Sequence, residues 1–336
     1  MEKKSFNLAN VVKKIDWVDL LRNYLVIFVA IILFIVSTQL SDAFLSQQNI
    51  FNLLRQLAVP TLLAMGMLFV IMTGGIDLSV GSVVAIGSVM TAHFLYGGTS
   101  LPVTIILVLL ISSIFGFASG YLVAYRRLAP FVVTLAGMTI ARGIAFIVSR
   151  GMPVRLMYSG GDILRNFATH NFLRIPVLVW FTLAVVALLA FAHRHLKWGR
   201  LVQAIGSNET ATKLSGIRTN YYKISAYVLS SVLAGIGGIV IASRVGMASP
   251  LAGQMYELNA IAAVVIGGAS LAGGSGKVLN TLMGVWVLGM IGNIMNLMNI
   301  PTHPQDVIQG VIIVLAILIQ LQKKGSAKDI ASSSMA

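Results

Sequence analysis

The sequence predicts an all-α, polytopic membrane protein of about ten transmembrane helices, some of them broken, with both termini in the cytoplasm. Three observations carry this. The chain is 57% hydrophobic and only 10% charged, with a mean hydropathy of +0.89, whereas soluble domains carry roughly 25% charged residues. Apolar runs of about 17–25 residues, long enough to cross a bilayer, recur along the chain. Its 24 Lys and Arg against 10 acids give a formal net charge of +14, and they cluster between those runs. Basic residues concentrate on loops that stay in the cytoplasm, so here the charge marks topology and not nucleic-acid binding. The 32 glycines fit the same class, since small residues let membrane helices approach closely. With no cysteine, disulfide and thiolate chemistry are excluded.

Residues 1–23 read as a basic cytoplasmic arm carrying Lys3, Lys4, Lys13, Lys14 and Arg22. With the apolar run behind them they imitate a secretion signal. No small-x-small cleavage site follows at Ser37-Thr38-Gln39-Leu40, so 24–40 reads as an uncleaved first span. It opens a transmembrane domain expected over 24–322. A polar connection, 41–56, leaves room for a short interfacial helix. Spans are expected at 57–73, 78–96, 101–124 and 131–148, with a break at 73–81 holding Gly74, Gly75 and Asp77. The turn Tyr125-Arg126-Arg127-Leu128-Ala129-Pro130 is doubly basic and should be cytoplasmic. Connection 149–176 carries Arg150, Arg155, Arg165 and Arg174; its charge would place it inside, whereas span counting places it outside.

A sixth span is expected at 177–192, then the strongly basic cytoplasmic loop 193–220, then a seventh span at 221–243. Segment 259–271 is apolar but only about 13 residues long, which predicts a broken or buried helix shielded from lipid. After the break Gly273-Gly274-Ser275-Gly276-Lys277 come spans at 278–297 and 306–322. Lys323, Lys324 and Lys328 mark a cytoplasmic tail, 323–336.

Within the basic loop, 204–217 is a polar island. Asn208 is a good N-cap, Glu209 sits at the positive end of the helix dipole, and Lys213 follows four residues later. Gly216 can take the left-handed conformation that ends a helix. A helix of about two turns is not stable alone in water and must pack on something. It is either a capped connector or a docking element for a soluble subunit.

Gly74-Gly75-Ile76-Asp77-Leu78-Ser79-Val80-Gly81-Ser82 is echoed by Gly267-Gly268-Ala269-Ser270-Leu271-Ala272-Gly273-Gly274-Ser275 at five positions. Transporters built from repeats carry broken helices at matching places, which makes Gly74, Gly75, Asp77, Gly267, Gly268, Gly273 and Gly274 hinge or gate candidates. Asp77 follows two glycines and precedes an apolar run, which favours an N-cap or hinge over a proton relay; no second acid at membrane depth offers a relay partner. Small residues recur at Ser112, Gly116, Gly120 and Ala124, and at Gly81, Ala85, Ser88 and Ala92, as stripes for close helix packing. Asn293 and Asn296 share one face of the ninth span and Gln309 lies in the tenth. Such amides either bond across helices or line a wet path, where they would suit a hydroxyl-rich solute without drawing ions. Gly274-Ser275-Gly276-Lys277 is not a phosphate loop, because Leu271 and Val278 stand where Gly and Ser or Thr are needed. The five histidines make no zinc-binding spacing, so no metal site is expected.

Taken together, these motifs resemble the permease subunits of bacterial ABC sugar importers, in the ribose/xylose/galactose branch and ribose permeases above all. The resemblance rests on Gly75-Ile76-Asp77-Leu78-Ser79-Val80-Gly81-Ser82; Pro130-Phe131 with Thr134-Leu135; Ala204-Ile205-Gly206 through Asn208 to Ser215-Gly216-Ile217; and Tyr256-Glu257-Leu258-Asn259-Ala260-Ile261-Ala262-Ala263-Val264-Val265-Ile266-Gly267-Gly268. It covers about 49–321. It implies a multi-pass inner-membrane subunit without catalytic site or bound cofactor. Its implied partners are a second permease chain, a cytoplasmic ATPase that binds ATP and Mg, and a periplasmic sugar-binding protein. It also implies that a short cytoplasmic helix fits a groove of the ATPase; 208–216 matches it, with Asn208, Glu209, Ala211, Lys213, Leu214, Ser215 and Gly216 as coupling residues. Two departures are Ser207, where members commonly have glycine, and Thr302-His303-Pro304-Gln305, where a Tyr pair or Tyr-Gln is usual. Related permeases carry nucleosides or branched-chain amino acids. An ion-coupled transporter would need paired intramembrane acids.

Overall fold

The computed structural model describes residues 17–156, 158–312, 314, 315 and 318. Its helices are α1 (Trp17–Leu40), α2 (Gln47–Met72), α3 (Val80–Tyr96), α4 (Leu101–Ala124), α5 (Pro130–Ser149), α6 (Tyr158–Thr169), α7 (Val177–His195), α8 (Lys197–Ser207), α9 (Glu209–Leu214), α10 (Thr219–Val245), α11 (Tyr256–Ile266) and α12 (Val278–Leu297). A further helix, α13, covers 302–312. Two-residue strands β1 (Val154–Arg155) and β4 (Met247–Ala248) pair antiparallel, as do β2 (Asn171–Phe172) and β3 (Ile175–Pro176). Six of the helices (α2, α4, α5, α7, α10 and α12) are long and apolar enough to cross a membrane; α3 and α11 are shorter apolar helices. The chain is an all-α membrane protein with almost no sheet.

α2 and α10 form the interior. In the most apolar window of α2, 78% of residues are buried inside the protein, against 22% for α4 and α5, whose apolar residues therefore face outward. The small-residue stripes explain how α10 packs so closely. A Cβ at Gly116 would lie 2.6 Å from Tyr227 O, and one at Gly120 2.8 Å from Ile224 Cα. Gly238 of α10 meets α3 the same way, 2.6 Å from Ser88 N. Only residues without side-chain bulk allow such backbone contact. α12 packs on α11, α1 and α2.

Several expected boundaries move. The polar stretch 47–56 does not end a helix; it continues into α2 as one helix of 26 residues, so no separate interfacial helix exists there. α1 already includes Trp17, inside the expected arm, and α13 begins at 302, ahead of the span expected from 306. Residues 1–16 of the arm and the tail 323–336 lie outside the described residues. The short apolar segment expected at 259–271 is an 11-residue helix, α11, shifted to Tyr256–Ile266, with Ala260 and 262–265 buried as the shortness of the segment predicts.

The connection 149–176 is folded. β1 joins it to β4, the Leu156 N–H donates to Gly246 O, and Ser243 Oγ donates to Leu164 O. All three partners lie at the C-terminal end of α10, whereas α9 precedes its N-terminal end. Hence 149–176 sits at the end of the bundle opposite α9. The basic turn after α4 lies at the α9 end, where Tyr125 lines a recess with Lys213, Gly216 and Tyr221.

Candidate functional site

At one end of the bundle stands α9. The Asn208 side chain accepts from the Ala211 N–H at 2.9 Å, capping it as its sequence predicts. Gly216 closes it at φ +81°, its N–H donating to Lys213 O at 3.0 Å. Glu209 pairs with Lys223 of α10, not with Lys213 one turn on, because α9 lies against the start of α10. α9 has no buried residue, and Leu214 is 84% exposed. Ala211, Lys213 and Ser215 complete this surface; Ser215 Oγ donates back to Ala211 O at 3.0 Å.

α8 holds α9 in place. Its Gly199, Val202 and Ile205 are buried at a helical spacing. Trp198 packs on Phe69 of α2 at a centroid distance of 4.9 Å and donates to Ser225 Oγ of α10 at 2.7 Å. At the C-terminal end of α8 the two glycine breaks come together. The Gly274 N–H donates to Met72 O at 3.0 Å. A Cβ on Gly206 would collide with Met72 O and lie 2.5 Å from Gly274 N; one on Gly273 would lie 2.9 Å from Gly74 N. Backbone thus meets backbone where the α2–α3 break, the α11–α12 break and the root of α9 converge.

The echo between the breaks is structural, in a register one residue away from the sequence match. Gly74 and Gly268 both have φ +83°, and each sits inside the same terminal bond, Gly75 N–H to Val70 O and Ala269 N–H to Val264 O, both 3.1 Å. Gly74 therefore corresponds to Gly268, and Thr73 to Gly267.

Asp77 does not cap α3, which starts at Val80 after Ser79. Its Oδ1 accepts from the Ser79 N–H (3.0 Å) and Ser79 Oγ (2.5 Å), and its Oδ2 from Ser230 Oγ (3.0 Å). The fully buried carboxylate therefore ties the α2–α3 break to the middle of α10. Tyr227, one turn from Ser230, closes over Gly75.

At the other end of α2 lies an open cavity of ≈ 250 Å³ between α2, α10, α11, α12 and α13. From Met72 back to Gln56 is about 24 Å at 1.5 Å per residue. Asn293, Asn296 and Gln309 all line it, together with Gln56, Asn259, Gln305, Tyr256 and Arg244. Six amides surround it, and among the described residues no carboxylate does. Asn293 and Asn49 bond each other in both directions, at 2.8 and 3.0 Å. Gln305 donates to Asn296 Oδ1 at 2.9 Å.

The sequence reading missed one charged pair. Arg142 lies inside the apolar run of α5 and donates to Pro250 O and Ala252 O at 2.7 and 2.8 Å. It stands within electrostatic reach of Glu257, a second acid in the bundle, whose Oε2 is buried against Gly81. The signal was available: Arg142 is the one charge in 131–148. Arg142 ties the loop at Pro250 and Ala252 to α5, and Glu257 packs against Gly81 of α3.

Residues 49–317 match the family described as branched-chain amino acid transport system / permease component. A ribose import permease protein of Haemophilus influenzae is 38% identical over 87% of this chain and 91% of its own length. One of Bacillus subtilis is 39% identical, over 87% and 90%. A xylose transport system permease protein of Haemophilus influenzae is 34% identical, over 93% and 99%. No solved structure matches.

Proposed function

The chain belongs to the family of branched-chain amino acid transport system / permease components, and from that premise we propose how its two ends divide the work of import. It is a multi-pass protein of the bacterial inner membrane and the permease subunit of a sugar ABC importer. Ribose is the proposed solute, another pentose or hexose the alternative. The proposed complex pairs two copies of this chain above a cytoplasmic ATPase, which binds the ATP and Mg, and below a periplasmic sugar-binding protein. No catalytic step is assigned to this chain. Ten spans with both termini in the cytoplasm place α9 inside, and 149–176 and the cavity outside.

One observation carries this reading. A capped helix with no buried residue and an exposed Leu214 sits on the junction of two glycine breaks, at the far end of α2 from an amide-lined cavity. Such a helix exposes Leu214 for no internal purpose, so the ATPase groove is its partner. ATP binding there can bias the permease only through contacts that differ between two states, and the junction beneath α9 is where those contacts reach both breaks. The lining also favours sugar over amino acid. An ammonium group calls for a carboxylate, and among the described residues the cavity offers amides and Arg244 instead.

Gly216→Pro tests the docking. Proline locks φ near −65° and removes the N–H, whereas Gly216 needs φ +81° and its N–H bonds Lys213 O. The variant is expected to lose ATP-driven uptake at least tenfold, either uncoupled or without bound ATPase. Normal uptake would refute the docking role of α9.

A further inference from the structure

The polar side chains around the cavity fall into two sets. In one, the groups are engaged with each other: Asn49 with Asn293, and Gln305 with Asn296 and, at 2.8 Å, with Ile300 O. These bonds cross from α2 to α12 and from α12 to α13, so they brace the walls. In the other, the groups are free. Gln56, Asn259 and Gln309 make no side-chain hydrogen bond among the described residues, yet all three line the cavity. Pro60, also in the lining, has no N–H to return to the Gln56 carbonyl. Arg244 spends one Nη1 bond on Arg55 O at 3.2 Å, and five N–H donors are available to a guanidinium.

We propose that Gln56, Arg244, Asn259 and Gln309 are the side chains that receive the transported solute, and that Asn293 and Asn296 are bracing residues. The proposal rests on the reading of the chain as a monosaccharide permease. The chemical class follows from the donors and acceptors. An amide offers both, and so does a hydroxyl, so each free amide can meet a hydroxyl in either sense. Arg244 adds donors that hydroxyl oxygens can accept from, and among the described residues no carboxylate lines the cavity to offset its positive charge, which repels a cationic solute. All four residues are partly exposed to the open cavity. Their bonds to the solute therefore replace bonds to water and hold it weakly, as a transport site must if the solute is to leave.

Gly292 gives a test that leaves the braces alone. It lines the cavity, and a Cβ built on it meets nothing within 4 Å. In proteoliposomes holding permease, ATPase and binding protein, Gly292→Phe is expected to cut uptake of labelled ribose at least tenfold while the complex still assembles. Asn259→Leu and Gln309→Leu are each expected to cut it at least fivefold with an unchanged thermal midpoint. Asn293→Leu is expected to lower that midpoint. Wild-type uptake in the Asn259→Leu, Gln309→Leu double variant would overturn the assignment while leaving the importer reading intact. A wild-type complex that moves no pentose or hexose on ATP would overturn that reading and the assignment with it. Should the leucine variants fail to fold, the absence of cysteine provides a second route. Gln56→Cys, Asn259→Cys and Gln309→Cys should react with a water-soluble thiol reagent more slowly when ribose is present. Reaction indifferent to ribose would also overturn the assignment.

Discussion

Gly206→Ala is expected to abolish ATP-driven uptake, although it adds a single methyl group. The Cβ would collide with Met72 O and lie 2.5 Å from Gly274 N. Both are backbone atoms, so no side chain can swing away. Overpacking of this kind costs about 1–3 kcal/mol in ordinary cores, and relief here requires α8 to separate from both breaks. The Gly274–Met72 bond and the Gly273–Gly74 contact would go with it. Gly216→Ala is the contrast. Nothing lies within 4 Å of its Cβ, and the cost is only that of a left-handed alanine, about 1–2 kcal/mol. Uptake should fall to background in the first variant and by less than about threefold in the second. Equal effects would mean that the junction carries no special load. Uptake and ATP hydrolysis, measured on the same vesicles, separate uncoupling from loss of assembly.

Replacing Asp77 by alanine and by asparagine should give opposite results. Alanine strips the acceptor from the Ser79 N–H, Ser79 Oγ and Ser230 Oγ, all buried. Each orphaned donor costs about 1–3 kcal/mol, so the α2–α3 break should come loose from α10 and uptake should collapse. Asparagine keeps an oxygen for Ser79, and its NH₂ can donate to Ser230 Oγ, which a hydroxyl accepts as readily as it donates. Asp77→Asn should therefore keep at least half of wild-type uptake. An assembled but inactive Asp77→Asn variant would show that the negative charge itself is used, and would favour ion coupling.

What the sequence made legible was local. The cap at Asn208, the left-handed Gly216, the breaks at Gly74 and Gly268, the small-residue stripes and the shortness of α11 each depend on neighbours within a turn or two. What it concealed depends on partners far along the chain. The polar run of Gln47, Gln48, Asn49, Asn52, Arg55 and Gln56 looks like a loop, because nothing local reveals that Asn49 bonds Asn293 and that Gln56 faces a cavity. Glu209 has two lysines within reach, and only the packing of α9 on α10 selects Lys223. Asp77 stands where a cap belongs, but Ser230, 153 residues away, supplies the partner that makes it a tie. The site is likewise built from separated pieces: five helices contribute to the cavity, and three glycine segments to the junction.

The decisive measurement is uptake of labelled ribose into vesicles that hold this permease and its ATPase, with and without ATP and the sugar-binding protein. Uptake that requires both is the result expected from the proposed import, in which solute enters at one end of α2 and the ATPase docks at the other. Uptake that proceeds without ATP and collapses with the proton gradient would contradict it.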